Sequence, residues 1–163
     1  MTTGTNNPEE VRVKMVCGGQ SGVDRAVLDF CLEQNIPCGG WCPDGRKAED
    51  GRIDRKYPLE ELTGGDYKDR TRSNVIDSDA TVIIYHEKMA GGTFYSLDVA
   101  RRQNKPYLLL DMSQLSVEEA ARRIPEFIER FAPGTLNYSG PRASQWDKGY
   151  SLTRKILEKA FPS

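Results

Sequence analysis

Apolar and polar positions follow two different periodicities along this chain, and the two alternate. Residues 11–17 read V-R-V-K-M-V-C, a period of two that predicts a β-strand. Residues 23–34 instead place apolar side chains three and four positions apart, which predicts a helix. Residues 80–85, A-T-V-I-I-Y, are almost continuously apolar, which is typical of a strand buried on both faces of a sheet.

The remaining elements continue this alternation. Short strands are predicted near residues 36–40, 57–62, 106–110 and 136–140, and helices over 66–78, 94–104, 117–131 and 145–161. Asp66 and Ser116 are the predicted N-caps of two helices, and Glu119 completes a capping box with Ser116. Residues 41–55 are rich in Gly, Pro and charge and predict a long loop. Because strands alternate with helices, the predicted fold class is α/β, with three layers (α/β/α) and a mainly parallel sheet.

Length and charge narrow the classes of protein. The 163 residues suit one domain, predicted over residues 11–163, after a polar lead-in at 1–10 that we expect to be disordered. The absence of a long apolar run or a signal-peptide core predicts no membrane partner and a cytoplasmic location. With 23 basic and 24 acidic residues, the sequence does not favour a general nucleic-acid surface.

Cysteine spacing argues against a structural metal. The four cysteines are Cys17, Cys31, Cys38 and Cys42, of which only the last two have metal-like spacing. A zinc site needs four ligands, and the sequence has a single histidine, His86. We therefore expect reduced cysteines and no structural metal.

Three glycine-bearing turns follow predicted strands, and ligands of open α/β sheets bind at those strand ends. Each of the first two turns opens a helix, whose free N–H groups favour an anion. The alternatives are that glycine serves turn geometry alone and that Thr93 is only an N-cap. The three turns are residues 18–22, 91–93 and 140–142. The candidate phosphate-binding residues are Gly18, Gly19, Gln20, Ser21 and Gly22 in the first turn, Asp24 and Arg25 in the helical turn that follows it, Gly91, Gly92 and Thr93 in the second turn, and Arg142 in the third.

The long loop adds further candidates. Arg46 is a candidate clamp for a phosphate and Trp41 a candidate stacking partner for a planar ring, although a solvated charged loop is the alternative. The candidates for a general acid or base are Glu49, Asp50 and Asp24. No catalytic set can be assembled from them, so a binding protein is favoured over an enzyme.

Six motifs, in order and spacing, resemble a known family over residues 11–161. They are C-G-G-Q-S-G-V-D-R-A, G-G-W-C-P-D-G-R-K-A-E-D-G, Y-P-L, N-V-I-D-S-D-A-T, G-G-T and L-N-Y-S-G-P-R-A-S. They resemble the family named as candidate carriers of the molybdenum cofactor, a branch of the Rossmann-like, nucleotide-sensing folds related to lysine-decarboxylase-like proteins. The resemblance implies a Rossmann-like domain that carries or stores the molybdenum cofactor (molybdopterin), a pterin with a terminal phosphate.

The wider group leaves an alternative open. Many of its members bind or cleave nucleotides, so a nucleotide-binding or nucleotide-hydrolysing enzyme or sensor is the second interpretation. Those enzymes often carry P-G-G-x-G-T-x-x-E, whereas residues 89–96 read M-A-G-G-T-F-Y-S and Leu97 supplies no acid. The resemblance also implies a homo-oligomer, a dimer or tetramer, and leaves a molybdoenzyme partner as a further option.

Overall fold

The structure is a computed structural model that describes residues 13–163. The predicted lead-in at 1–10 and the start of the first predicted strand lie outside the described residues. The strands are β1 (Lys14–Val16), β2 (Cys38–Gly39), β3 (Trp41–Pro43), β4 (Lys47–Ala48), β5 (Gly51–Arg52), β6 (Glu60–Leu62), β7 (Ala80–Tyr85), β8 (Tyr107–Asp111) and β9 (Thr135–Ser139). The helices are α1 (Val23–Gln34), α2 (Tyr67–Ile76), α3 (Gly91–Arg102), α4 (Val117–Phe131) and α5 (Gly149–Ala160).

Five strands form the central sheet in the order β2-β1-β9-β7-β8, and every neighbouring pair is parallel. The predicted α/β class with a mainly parallel sheet is confirmed. The chain leaves β1 through α1 toward β2 at one edge, and leaves β7 through α3 toward β8 at the other. This reversal of direction opens a crevice at the carboxyl ends of the central strands, where such folds bind ligands.

Helices cover both faces of the sheet. On one face, α5 contacts both α1 and α4, and the three helices enclose the main core, in which Phe30, Ile124 and Ile156 pack against β7 and β9. A separate cluster of Val75, Val99 and Ala100 joins α2 to α3. None of the helices within residues 13–163 is long and apolar enough to cross a membrane.

The segment predicted as one long loop contains regular structure. β3 pairs in parallel with β6, and β4 pairs with β5 as a small hairpin. Strands of two or three residues are too short to show a period in the sequence. They form because Cys42, Ile53 and Leu59 bury a second small core against Cys17 and Leu28.

Two helix starts also differ from the predictions. α3 begins at Gly91, so the glycines form its first turn, and α5 begins at Gly149 instead of residue 145. Before α5, the N–H groups of Gln145 and Trp146 both donate to the carbonyl of Arg142. Residues 142–146 therefore form a turn of their own, and this turn lies beside the start of α1.

Candidate functional site

A pocket of about 480 Å³ lies at the carboxyl edge of the central sheet. Its volume is in the range of small-molecule sites. Parts of all three glycine turns meet there, because parallel strands end at one edge of a sheet. The predicted residues that line it are Gln20, Asp24, Gly91, Gly92, Thr93 and Arg142.

The N-terminus of α3 forms one wall of this pocket. Among the described residues, no side chain caps this helix, whose N-cap is Ala90. A Cβ added at Gly91 would meet nothing within 4 Å, and one at Gly92 would lie 3.9 Å from the nearest atom, Thr71 Oγ1. The first turn of α3 is therefore uncapped and exposed, and its N–H groups carry the positive end of the helix dipole.

Basic side chains from α2 and the third turn face the same pocket: Lys68, Arg70 and Arg142. The Arg70 guanidinium lies over the Tyr67 ring, 5.5 Å from its centroid, and its Nη1 donates to Thr71 Oγ1 at 2.7 Å. Its Nε is buried and has no acceptor among the described residues. Arg70 is thus positioned by Tyr67 and Thr71, while its Nε has no acceptor within the described part of the chain.

From the sequence alone, an ordinary solvated helix face is the favoured interpretation of Arg70. An exposed arginine two positions away, Arg72, has the same local composition around it. The difference comes from Gly18, where a Cβ would lie 2.6 Å from Arg70 Nε. The glycine leaves room for the guanidinium to lie against the first turn, a long-range contact that helix periodicity does not reveal.

The first glycine turn (residues 18–22) is closed by the protein itself. All five of its residues are buried. Gly19 and Gly22 have φ of 78° and 84°, a region that favours glycine, and a Cβ at Gly22 would lie 2.7 Å from the carbonyl oxygen of Pro141. Within this turn only Gln20 reaches the pocket.

Glu49 fastens this closure. Its carboxylate accepts from Ser21 Oγ at 2.5 Å, from Ser144 Oγ at 2.5 Å and from the Ser144 N–H at 3.0 Å. Ser21 Oγ in turn accepts from the N–H of Ala143 at 3.1 Å. The hydrogen bonds from Ser144 and Ser21 lower the pKa of Glu49 below its usual value. A carboxylate with all these donors is a structural clasp and does not line the pocket.

Asp50 and Arg25 form a second closure. Arg25 Nη1 and Asp50 Oδ2 are 2.9 Å apart, and the guanidinium also donates to the carbonyl of Gly19. Hydrogen bonding from Arg25 lowers the pKa of Asp50. Neither residue lines the pocket.

Arg46 and Trp41 lie away from the pocket as well. Arg46 is buried, and its guanidinium donates to four carbonyl oxygens at 2.8–3.1 Å, those of Ile53, Asp54, Tyr57 and Leu59. The indole nitrogen of Trp41 donates to Asp77 at 2.8 Å. Both side chains are occupied by the fold, so we leave them out of the candidate site.

Asp24 is the only one of the three candidate acids that lines the pocket. It is 5% exposed, and Oδ2 accepts from the N–H of Gln20 at 3.3 Å. Burial raises its pKa to about 6, against the opposing influence of Arg70 and of the N–H groups of Gln20 and Gly18. A carboxyl group with this pKa can exchange a proton near neutral pH.

The described part of the chain shows no candidate metal centre. All four cysteines are free thiols, and within residues 13–163 no three His, Cys, Asp or Glu side chains come together as ligands. Aromatic surface is available instead, since Tyr67 and Phe94 line the pocket and are 39% and 50% exposed.

Comparison with known proteins agrees with this architecture. Residues 15–161 match the model of the circularly permutated YpsA SLOG family. The chain belongs to this family. A crystal structure from Syntrophus aciditrophicus SB, of a protein named as a candidate molybdenum carrier, is 41% identical with a TM-score of 0.90 and covers 92% of this chain and 95% of that chain. No match was found among curated proteins. The family resemblance carried by the six motifs is thereby confirmed.

Proposed function

We propose that this member of the YpsA SLOG family binds a phosphorylated small molecule in the pocket at the carboxyl edge of the sheet. The observation that carries the proposal is the uncapped N-terminus of α3 facing Arg70 across one pocket. A helix N-terminus attracts an anion through its free N–H groups, and an arginine adds charge-assisted hydrogen bonds. The phosphate would lie against residues 91–93, with Lys68 and Arg142 nearby.

The rest of the pocket suits a planar ring. Tyr67 and Phe94 offer exposed aromatic surface at its border. Aromatic side chains contribute large contact areas and stack in offset or tilted geometries. These two residues take the role that the sequence suggested for Trp41.

The molybdenum cofactor is our first candidate ligand, with this chain as its carrier or storage protein. The name of the structural neighbour supports it, as does the match of a pterin and a terminal phosphate to a ring site and an anion site. No Cys or His side chain lines the pocket, so this chain supplies no soft ligand there. In a bound cofactor, the dithiolene sulfurs would be the ones to hold the molybdenum.

A nucleotide is the second candidate, because Asp24 lies inside the pocket. An acid with a pKa of about 6 matches what a general acid or base requires. If the chain is an enzyme that hydrolyses nucleotides, we propose Asp24 for that role, with Glu49 and Asp50 excluded by the bonds they already make. Homo-oligomer formation and a molybdoenzyme partner stay predictions.

The test is native mass spectrometry of gently purified protein, combined with elemental analysis for molybdenum and fluorescence of released pterin. Stoichiometric molybdenum with a pterin would support the carrier, and a bound nucleotide without molybdenum would support the second candidate. Arg70→Ala should weaken ligand binding by about 10- to 100-fold, the loss of a charged hydrogen bond. Arg72→Ala on the same helix is the matched control, and equal affinity of both variants would contradict the proposed phosphate site.

A further inference from the structure

The orientation of the Gln20 amide is determined by its surroundings. Its Oε1 accepts from two backbone N–H groups, that of Ser21 at 3.0 Å and that of Glu49 at 2.8 Å. Only the oxygen of a glutamine side chain can accept, so a flipped amide would lose both bonds. Nε2 must therefore be the other atom, and no acceptor for it occurs among the described residues. Since Gln20 lines the pocket, this nitrogen is a donor available to a ligand.

Asp24 supplies an acceptor that lies against the main chain of Gln20 and lines the same pocket. Its carboxylate contacts Gln20 directly, since Oδ2 accepts from the N–H of Gln20 at 3.3 Å. Above pH 6 the group is mainly ionised and can only accept. Burial of the charge is costly unless further donors reach it. The inner wall of the pocket thus combines one fixed donor with a carboxylate that needs N–H partners.

We propose that Gln20 and Asp24 recognise the edge of a 2-amino-4-oxopyrimidine ring, the edge that pterins and guanine share. This inference rests on the proposed function and adds the class of ring. The ring N–H and the exocyclic amino group donate to Asp24, and the ring carbonyl accepts from Gln20 Nε2. Adenine offers only one N–H group beside a ring nitrogen, so the carboxylate would face it with fewer donors.

Three nucleotides that differ only at this edge test the inference: guanosine, inosine and adenosine 5′-monophosphate. Inosine lacks the amino group, and adenosine lacks the carbonyl and the ring N–H. Calorimetry at pH 7.5 should show the tightest binding for guanosine monophosphate, weaker binding for inosine monophosphate and the weakest for adenosine monophosphate. The dissociation constants of the first and the last should differ by about tenfold or more. The native protein suffices for this measurement, so it does not depend on whether any variant folds.

Variants separate the ring edge from the phosphate. Asp24→Asn and Gln20→Glu should each remove most of the preference for guanosine monophosphate, because each changes a donor or an acceptor while keeping the side-chain shape. Gln20→Glu retains an oxygen for the two backbone N–H groups. Lys68→Ala is the control: Lys68 lies near the proposed phosphate position and is not among the groups that shift the pKa of Asp24, so all three nucleotides should weaken by the same factor.

Failure of this inference can be told apart from failure of the proposed function. Equal affinities for the three nucleotides, with all three still dependent on Arg70, would overturn the ring-edge assignment alone. If neither the nucleotides nor 6-hydroxymethylpterin phosphate binds, the proposed function and the ring-edge assignment both fail. A guanosine preference that survives both Asp24→Asn and Gln20→Glu would also overturn the assignment.

Discussion

Two helices of this protein begin with glycine-rich turns at the same edge of the sheet, and their environments are opposite. The start of α1 is buried under residues 141–144, with Ser21 and Glu49 forming the clasp. The start of α3 has no side-chain cap among the described residues and lies against the pocket. Glycine permits close backbone approach in both places. At α1 the approaching group is the protein's own chain, and at α3 it is, in our proposal, a ligand.

Substitution of one glycine at each helix start should give the largest difference in stability between the two turns. Gly22→Ala should destabilise the fold by about 3 kcal/mol or more, because a positive φ and a backbone clash cannot both be relieved cheaply. The clash is with Pro141, whose carbonyl oxygen would lie 2.7 Å from the new Cβ. Denaturant unfolding measures the change.

Gly92→Ala is the matched control in α3. The new Cβ would lie 3.9 Å from its nearest neighbour, Thr71 Oγ1, which is ordinary contact. Alanine also favours the helix over glycine by about 1 kcal/mol. We expect equal or higher stability. Similar losses in the two variants would show that the two turns are not different in kind.

Arg46 and Arg70 differ in the same way as the two turns. Arg46 donates to four backbone carbonyls of the fold, whereas Arg70 lines the pocket. Arg46→Ala should cost about 2–4 kcal/mol of folding free energy, since a buried charged donor to four carbonyls is removed and those carbonyls lose their partner. Thermal unfolding with and without ligand distinguishes the roles. Loss of affinity at unchanged stability in Arg46→Ala would return this residue to the ligand site.

Asp24 connects the closed turn to the open pocket, and its pKa predicts a pH effect on stability. The folded protein holds the proton up to about pH 6, whereas the ordinary carboxyl pKa is 3.8. As pH rises between these values the unfolded chain loses its proton first, so the native state loses stability over that window. The asparagine of Asp24→Asn does not titrate. The free energy of unfolding of this variant, relative to that of the native protein, should therefore rise by about 2–3 kcal/mol as the pH goes from 4 to 7.

Urea unfolding of both proteins at several pH values checks this difference. A gap that stays constant from pH 4 to 7 would contradict the raised pKa of Asp24. If Asp24→Asn gains stability and loses the preference for guanosine monophosphate, then Asp24 contributes to binding while it destabilises the fold.

The smallest effect on stability is expected at the ion pair between Arg25 and Asp50, beside the start of α1. Asp50→Asn removes the ion pair with Arg25, but the Asp50 side chain is 49% exposed. Exposed pairs contribute about 0–1 kcal/mol. We expect a small change in stability and unchanged ligand affinity, measured by the same unfolding and calorimetry. A strong loss of binding or turnover would bring Asp50 back as a functional acid.

Long periodic segments were predictable from the sequence. Which glycine turn is closed by the protein's own chain, and which is open to the pocket, was not. The predicted bounds of α1, β7 and α4 coincide with the observed ones, because each is determined by local periodicity or a capping box. The closure of the first turn depends on Leu59 and Pro141, which are distant in sequence. The distinction between Arg70 and Arg46 likewise depends on which backbone carbonyls lie nearby in the fold, and this cannot be predicted from composition.

The position of the bound phosphate can be measured by backbone amide NMR of the isotopically labelled protein, titrated with guanosine 5′-monophosphate and, as the phosphate-free control, with guanosine. The proposed site predicts that the phosphate-dependent shifts are largest at the amides of Gly91, Gly92 and Thr93. Phosphate-dependent shifts concentrated at Gly19, Ser21 and Gly22, with the α3 amides unchanged, would contradict it.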